Sequence, residues 1–418
     1  MISTPHKTQK LLVKFLKIIK LGKMTSFIGP TLLYNDEPKI FSFSAILTNG
    51  ERACGTSLIS KEQALLKLFG EIIERYNLDS RCNKEAIKKI RKEKINITPF
   101  LCDHSLKFSF NKPLKKEVFC IEGYSILRNK KIFVPAQLVF SPYHLSKDEI
   151  LIRTPISTGA ATHFNFQEAL QNGILEIIER DAFMVNYLNK LSRIVIDISK
   201  SKDRLLKKIY LTLKRYYLEL FLIDISTEIP IFSVAAILID RTGIGPAVSV
   251  GLSANFNFKK AIIKAIEESL QVRRWIRGKI IRYQKYKNGL KKIKDPILYR
   301  GFFWANIKMI GKLNFFLNSE RVPIEKIEKK YGQKKVFTLN KLKNWFKKQN
   351  IEMIFVDLTP SWQKKRGIYT LKTIIPSLQP LYLDERFPCF NITRIKEVPK
   401  LLGFSPAKKV NKIPHPFL

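Results

Sequence analysis

Apolar residues recur along this chain in two rhythms, every third or fourth position or in short unbroken runs, the signatures of packed helices and of buried strands. Residues 8–21 set lysines among Leu, Val, Phe and Ile at helical spacing, which predicts a basic amphipathic helix packed on the core. A strand is predicted at Ile40–Leu47, then the turn signal Asn49-Gly50 and a helix over about 61–77. Residues 81–116 are basic and polar with few periodic apolar positions, and are expected to form a peripheral insertion. Strands are predicted again at 118–121 and 132–134. Ser157–His163, rich in Gly, Ala and Thr, is a turn ahead of a long helix over about 167–188. Strands at 219–224 and 230–239 precede the turn Gly243-Ile244-Gly245-Pro246 and a third helix over about 259–277. The remainder holds a strand near 353–358 and a Pro-punctuated tail. Alternating strands and helices predict a mixed α/β fold. The expected division is an N-terminal amphipathic segment, 1–22, and one large domain, 23–418.

At 418 residues and 45% hydrophobic the chain can bury a sizeable core. Its longest apolar run, Pro230–Ile239, is about half the roughly 18–20 residues that span a bilayer. Lys14, Lys17 and Lys20 interrupt the N-terminus as a signal peptide, so a cytoplasmic location is expected. Cys54, Cys82, Cys102, Cys120 and Cys389 are far apart and odd in number, which argues against a disulfide framework and a structural zinc site. The net charge is +40. Gln271–Lys294 carries no acid and sets Trp275, Tyr283 and Tyr286 among its arginines and lysines. Solvated faces in a Lys-, Ile- and Phe-rich chain are the favoured reading, and a surface for nucleic acid or another polyanion is the second.

Two of the predicted helices carry the same pentapeptide. The first reads Gln63-Ala64-Leu65 and, after five residues, Glu71-Ile72-Ile73-Glu74-Arg75; the second reads Glu168-Ala169-Leu170 and, after five, Glu176-Ile177-Ile178-Glu179-Arg180. The third helix keeps the register, with Ala261 seven residues ahead of Glu268, but has Gln271 where the others have Glu74 and Glu179, and Arg273 and Arg274 follow. Positions i, i+3 and i+4 share one helix face, so each copy presents two carboxylates and a guanidinium together. A single such face is ordinary surface, its pairs worth about 0.2–0.5 kcal/mol. Two in one register, each after a small-residue turn, make an internal repeat and a candidate site. Four carboxylates in one cleft repel each other unless a cation compensates. Mg²⁺ prefers carboxylate and phosphate oxygens, and Arg75, Arg180 and the Arg273/Arg274 pair suit phosphates. Magnesium triphosphate matches both sets of charges, although the chain has neither a GxxxxGK[ST] loop nor a kinase glycine loop.

With these motifs the chain resembles the YcaO family of azoline-forming cyclodehydratases, over roughly residues 20–418. The family's first ATP motif is similar to Gly55 through Arg75. Its second is similar to Ser157-Thr158-Gly159-Ala160-Ala161 with Glu168-Ala169 and Glu176-x-x-Glu179-Arg180-Asp181, and its third to Glu268-x-x-Gln271-x-Arg273. The C-terminus, Pro414-His415-Pro416-Phe417-Leu418, resembles the Pro-x-Pro-x-Pro ending of the family, whose terminal carboxylate is implicated in catalysis. Lys67 departs from a small hydroxyl residue common in the family, and Leu418 replaces the final proline.

The resemblance implies a two-lobed fold with the helix repeat around a nucleotide cleft. It implies Mg²⁺ on Glu71, Glu74, Glu176 and Glu179, and ATP held by Ser157, Arg75, Arg180, Gln271 and Arg273. The C-terminal carboxylate of Leu418 is the implied base, with His415 as a competitor. The implied activity is Mg-ATP-dependent conversion of Cys, Ser or Thr in a ribosomally made precursor peptide, as in bacteriocin biosynthesis, to thiazoline or oxazoline. Thioamide formation from a sulfur donor is the alternative chemistry, and an ATP-binding accessory role in ribosome or protein modification the alternative class. A leader-binding partner protein resembling ubiquitin-activating enzymes is implied as well, and a homodimer suits the resemblance.

Overall fold

From the N-terminus, helix α1 (Pro5–Leu21) leads into strands β1 (Thr25–Pro30), β2 (Phe41–Leu47) and β3 (Arg52–Ser57), then helix α2 (Lys61–Leu78). Strands β4 (Lys88–Arg91), β5 (Glu117–Ser125), β6 (Lys130–Pro135) and β7 (Ala160–His163) precede the long helix α3 (Phe166–Asn189). Next come β8 (Val195–Asp197), α4 (Arg204–Arg215), β9 (Leu218–Asp224), β10 (Phe232–Asp240), β11 (Val248–Asn255) and α5 (Phe258–Arg282). The C-terminal third holds α6 (Pro296–Ala305), α7 (Asn314–Leu317), β12 (Arg321–Pro323), α8 (Ile324–Gly332), α9 (Leu339–Lys348), β13 (Ile354–Asp357), α10 (Ser361–Lys364), β14 (Tyr369–Ile374) and α11 (Ile392–Leu401). This is a computed structural model, and it describes residues 5–32, 34–91, 95, 98–101, 117–145, 149, 151–282, 293–332 and 338–418. The described strands form three sheets, ordered β1-β2-β3, β11-β10-β9-β8-β12 and β4-β5-β13-β14-β7, with β6 on β5. The mixed α/β fold expected from the sequence is the one observed.

Three copies of one unit, β3-α2, β7-α3 and β11-α5, place the chemistry. Each helix starts on a side-chain cap just after its strand. Ser60 accepts the Gln63 N–H, Asn165 those of Gln167 and Glu168, and Asn257 that of Lys260, each cap worth about 1 kcal/mol. Strand and helix approach too closely for a side chain between them. A Cβ at Gly55 would lie 2.1 Å from the Ala64 carbonyl oxygen, and one at Gly251 would lie 2.2 Å from that of Ala265. The units also close on one another: α2 packs on β7, α3 on β11 and α5 on β3.

Helix α3 is the central element, with Ile174, Ile178, Phe183, Met184 and Leu188 all buried, as expected of a helix apolar on nearly every side. Helix α1 packs as predicted, burying Phe15, Ile18 and Ile19 with Leu68, Ile72 and Ile73 of α2. Each such side chain contributes about 1.5–3 kcal/mol by leaving water. The segment 81–116 begins as part of the main body, because β4 pairs with β5; residues 92–94, 96–97 and 102–116 lie outside the described ones. Cys54, Cys82 and Cys120 are free thiols, whereas Cys389 is disulfide-bonded, although the cysteine spacing argues against a disulfide framework. No described helix is long and apolar enough to cross a membrane.

Candidate active site

The first glutamate of each repeated helix turns back to its own strand. Glu71 accepts the Cys54 N–H at 3.1 Å, Glu176 the Gly159 N–H at 3.0 Å and Glu268 the Leu252 N–H at 2.6 Å. The close strand–helix approach puts these amides within reach. A second set of carboxylates ties one unit to another. Glu179 on α3 accepts the Ala254 N–H of β11 at 2.9 Å. Glu267 on α5 accepts the Leu58 N–H at 2.8 Å just after β3, and its other oxygen meets Lys67 Nζ of α2 at 2.5 Å. The three units therefore converge on one cleft of about 340 Å³, lined by Glu71, Glu176, Glu179, Glu267, Glu268, Arg180, Lys67, Lys264 and Gln271, among others.

Carboxylates outnumber the cations that line this cleft. Burial raises the Glu179 carboxyl to about 8, with the Glu268 and Glu176 charges adding and Arg180 opposing. Burial also raises Glu268, and it raises Glu74 strongly, with help from Glu176 and Glu71. Arg180 is the central counter-charge: it meets Glu179 at 2.6 Å, Glu176 at 3.3 Å and Glu268 at 3.7 Å. Its buried Nε has no partner. Crowded carboxylate oxygens beside Arg180, Lys67 and Lys264 fit a hard cation such as Mg²⁺ with a polyphosphate.

Of the sequence-predicted residues, the structure brings Glu71, Glu176, Glu179, Arg180 and Gln271 to the cleft lining. Glu74 is half-buried and within electrostatic reach of Glu71 and Glu176. Arg75 turns onto Glu71 at 2.6 Å and Glu51 at 3.5 Å, and it is not among the lining residues. Ser157 lies in the turn before β7, where its carbonyl accepts the Ala160 N–H. Arg273 is elsewhere: its guanidinium is buried on Glu37 at 2.8 Å and Asp240 at 2.7 Å, so its charge is already neutralised. Arg274 donates to the Leu32 carbonyl and keeps a buried Nη1 without partner. Arg277 pairs with Asp36 and Glu37. Arg273, Arg274 and Arg277 thus face inward, Arg282 and Lys294 are exposed, and Tyr283, Lys285, Tyr286, Lys287, Lys291 and Lys292 lie outside the described residues. Sequence reasoning passed over Glu267, Lys67 and Lys264 as site residues, and assigned no role to Glu268 although it stands in the repeat register of Glu71 and Glu176.

The C-terminal arm reaches the same place. Phe417, 2% exposed, stacks its ring 4.1 Å from the Arg180 guanidinium carbon, a cation–π contact at a desolvated position. Trp304 Nε1 and the Tyr187 hydroxyl donate to the Pro414 carbonyl at 2.8 and 3.1 Å. Leu418 is half-buried, beside Gly301, one residue beyond the ring that braces Arg180. His415 is fully buried, with Nε2 2.7 Å from the Tyr382 carbonyl, so it acts as an anchor of the arm.

Burial depresses the His415 imidazole well below its usual range, and the Arg300 guanidinium adds to this. Neutral in the fold and titrating normally when unfolded, it contributes stability that is present above about pH 6.5 and lost as pH falls below that value. Melting curves from about pH 7.5 down to about pH 5 are expected to show the wild type losing more stability than His415→Gln.

A family model, YcaO cyclodehydratase, ATP- and Mg²⁺-binding, matches residues 57–379. The chain belongs to the YcaO family. As a member it is an ATP-dependent enzyme with Mg²⁺ as its cation. A protein of Methanothermobacter thermautotrophicus (strain Delta H), described only as uncharacterized, is 22% identical over 377 residues, covering 87% of this chain and 93% of that one. The structure of a heterocyclase in complex with substrate and cofactor superposes with a TM-score of 0.74 at 16% identity, over 97% of this chain and 57% of that one. YcaO from Methanopyrus kandleri, bound with AMPPCP and Mg²⁺, gives 0.63 at 17% identity over 91% and 93%. The YcaO chain thus spans little more than half of that heterocyclase.

Proposed function

We propose that this YcaO protein is a cyclodehydratase acting on Cys, Ser or Thr of a ribosomally made precursor peptide. The side chain attacks the preceding amide carbonyl, and loss of the amide oxygen leaves a thiazoline or oxazoline. The observation that carries this reading is the convergence of the three-unit acidic cleft and the C-terminal arm on Arg180. Bound Mg-ATP supplies the phosphoryl group that makes the amide oxygen a leaving group. Glu71, Glu176, Glu179 and Glu268 would hold the metal, with Glu74 behind them. Arg180, Lys67 and Lys264 would meet the phosphates, and Gln271 closes the lining. The C-terminal carboxylate of Leu418 takes the proton of the attacking side chain. A leader-binding partner presenting the peptide belongs to the same reading.

The test is mass spectrometry of Cys-, Ser- and Thr-bearing peptides incubated with the protein, that partner and Mg-ATP. The expected product has lost one water per modified residue, with one ATP consumed for each. Exchange of oxygen for sulfur would make the enzyme a thioamide former instead, and no modification in any peptide would overturn both chemistries.

A further inference from the structure

A second cavity, of about 330 Å³, opens beside the cleft. Its walls include Phe100, Ile374, Pro376, Ser377 and Arg153. Among the described residues Arg153 forms no hydrogen bond or ion pair. Glu352 also lines the cavity, but its carboxylate is taken up by Arg128 at 3.1 Å and the Ser125 hydroxyl at 2.8 Å. Next to Arg153 is a second cation, Lys372, fully buried with its ammonium on the Ile156 carbonyl at 2.8 Å. Burial pulls the Arg153 guanidinium down to about 10 and, with Arg153 adding its repulsion, the Lys372 ammonium down to about 7. The Glu176 and Glu74 carboxylates act on Lys372 in the opposite sense, favouring its charged form. Lys372 therefore lies within electrostatic reach of both Arg153 and the carboxylates of the nucleotide cleft.

A half-buried guanidinium without a counter-ion keeps its charge and its N–H donors available. The fold accepts it where an anion arrives from outside. We propose that this cavity is a subsite for an acidic side chain of the substrate peptide, bound through Arg153. A volume at the low end of ordinary ligand pockets, which run from roughly 300 to 1,000 Å³, exceeds what one oxyanion fills. The apolar walls from Phe100, Ile374 and Pro376 suit the neighbours of an aspartate or glutamate in a peptide better than they suit free phosphate. This assignment rests on the peptide-modifying function proposed above, and its test uses no nucleotide, so the two can fail separately.

The experiment is fluorescence polarisation with fluorescein-labelled Gly-Leu-Asp-Leu-Gly and its Asn counterpart, titrated with the full-length protein. The wild type is expected to bind the Asp peptide about 10-fold more tightly, the scale of one charged hydrogen bond. Arg153→Met is expected to abolish that preference, and Arg153→Lys to keep part of it. Because Met removes an unpaired, half-buried charge and keeps much of the side-chain volume, the variant should melt close to the wild-type temperature, which separates loss of the subsite from loss of the fold. Equal binding of both peptides by the wild type, or a preference that survives Arg153→Met, overturns the proposal. So does full displacement of the Asp peptide by inorganic phosphate at millimolar concentration, which would make the cavity a simple oxyanion site. Failure of Mg-ATP to bind, with the Asp preference intact, would instead count against the nucleotide reading alone.

Discussion

Replacing Glu71 and Glu176 together by glutamine is expected to weaken Mg-ATP binding at least about 100-fold, or roughly 2.7 kcal/mol. The two carboxylates hold equivalent places in successive units, and each spends one oxygen on a backbone amide, that of Cys54 in β3 or of Gly159 just before β7. A glutamine carbonyl can keep accepting that N–H, so the strand–helix contact survives while the charge is lost. Without nucleotide the variant should melt at or above the wild-type temperature, because two charges that crowd Glu74 are gone. With Mg-ATP at about 100 times Kd the wild type should gain roughly 2.7 kcal/mol and the variant far less. Calorimetry and paired melts measure both quantities. Equal magnesium-dependent binding in the two proteins would mean that these glutamates only brace their strands.

The repeat was legible because its spacing is a covalent fact. Glu71 and Glu176 stand in one register, and so do Ala64 and Ala169, and helices α2 and α3 follow from these apolar periods nearly residue for residue. Strand β11 was passed over, although Val248, Val250, Leu252 and Ala254 alternate with Ser and Gly at the strand period. The small residues between them serve the close contact of Gly251 with α5, and the strand is buried along almost its whole length. Missing β11 meant missing the amides that orient Glu179 and Glu268. The fate of Arg273 was equally hidden: nothing local announces that Glu37, 236 residues away in sequence, neutralises it. Lys67 looked like a departure from the family pattern. In three dimensions it is the partner of Glu267, and it joins the first unit to the third. In the same way Asp181, next to Arg180 in the motif, is completely buried on Arg394 of α11 at 2.6 Å. Removing one member of such a buried pair costs about 3–5 kcal/mol, so this motif position holds the C-terminal region onto α3.

Two changes at the end of the chain should separate stability from catalysis. Phe417→Ala removes a buried ring packed on Phe183 and the Arg180 guanidinium, and a loss of about 3–5 kcal/mol is expected from lost burial and the cavity left behind. Arg180 would also lose the surface that orients it toward Glu176 and Glu179, so nucleotide affinity should fall with stability. Deleting Leu418 alone is a different perturbation. It leaves Phe417, the Pro414 carbonyl contacts with Trp304 and Tyr187, and the His415 anchor in place, but it moves the terminal carboxylate back by one residue. The deletion should melt close to wild type and bind Mg-ATP normally, while peptide-dependent turnover falls by roughly 10²–10⁴, the range for a displaced general base. Urea unfolding, calorimetry and single-turnover assays on both variants measure the split. If the Leu418 deletion kept full turnover, the carboxylate would not be the base, and the arm would serve only to hold Arg180 against the acidic cleft.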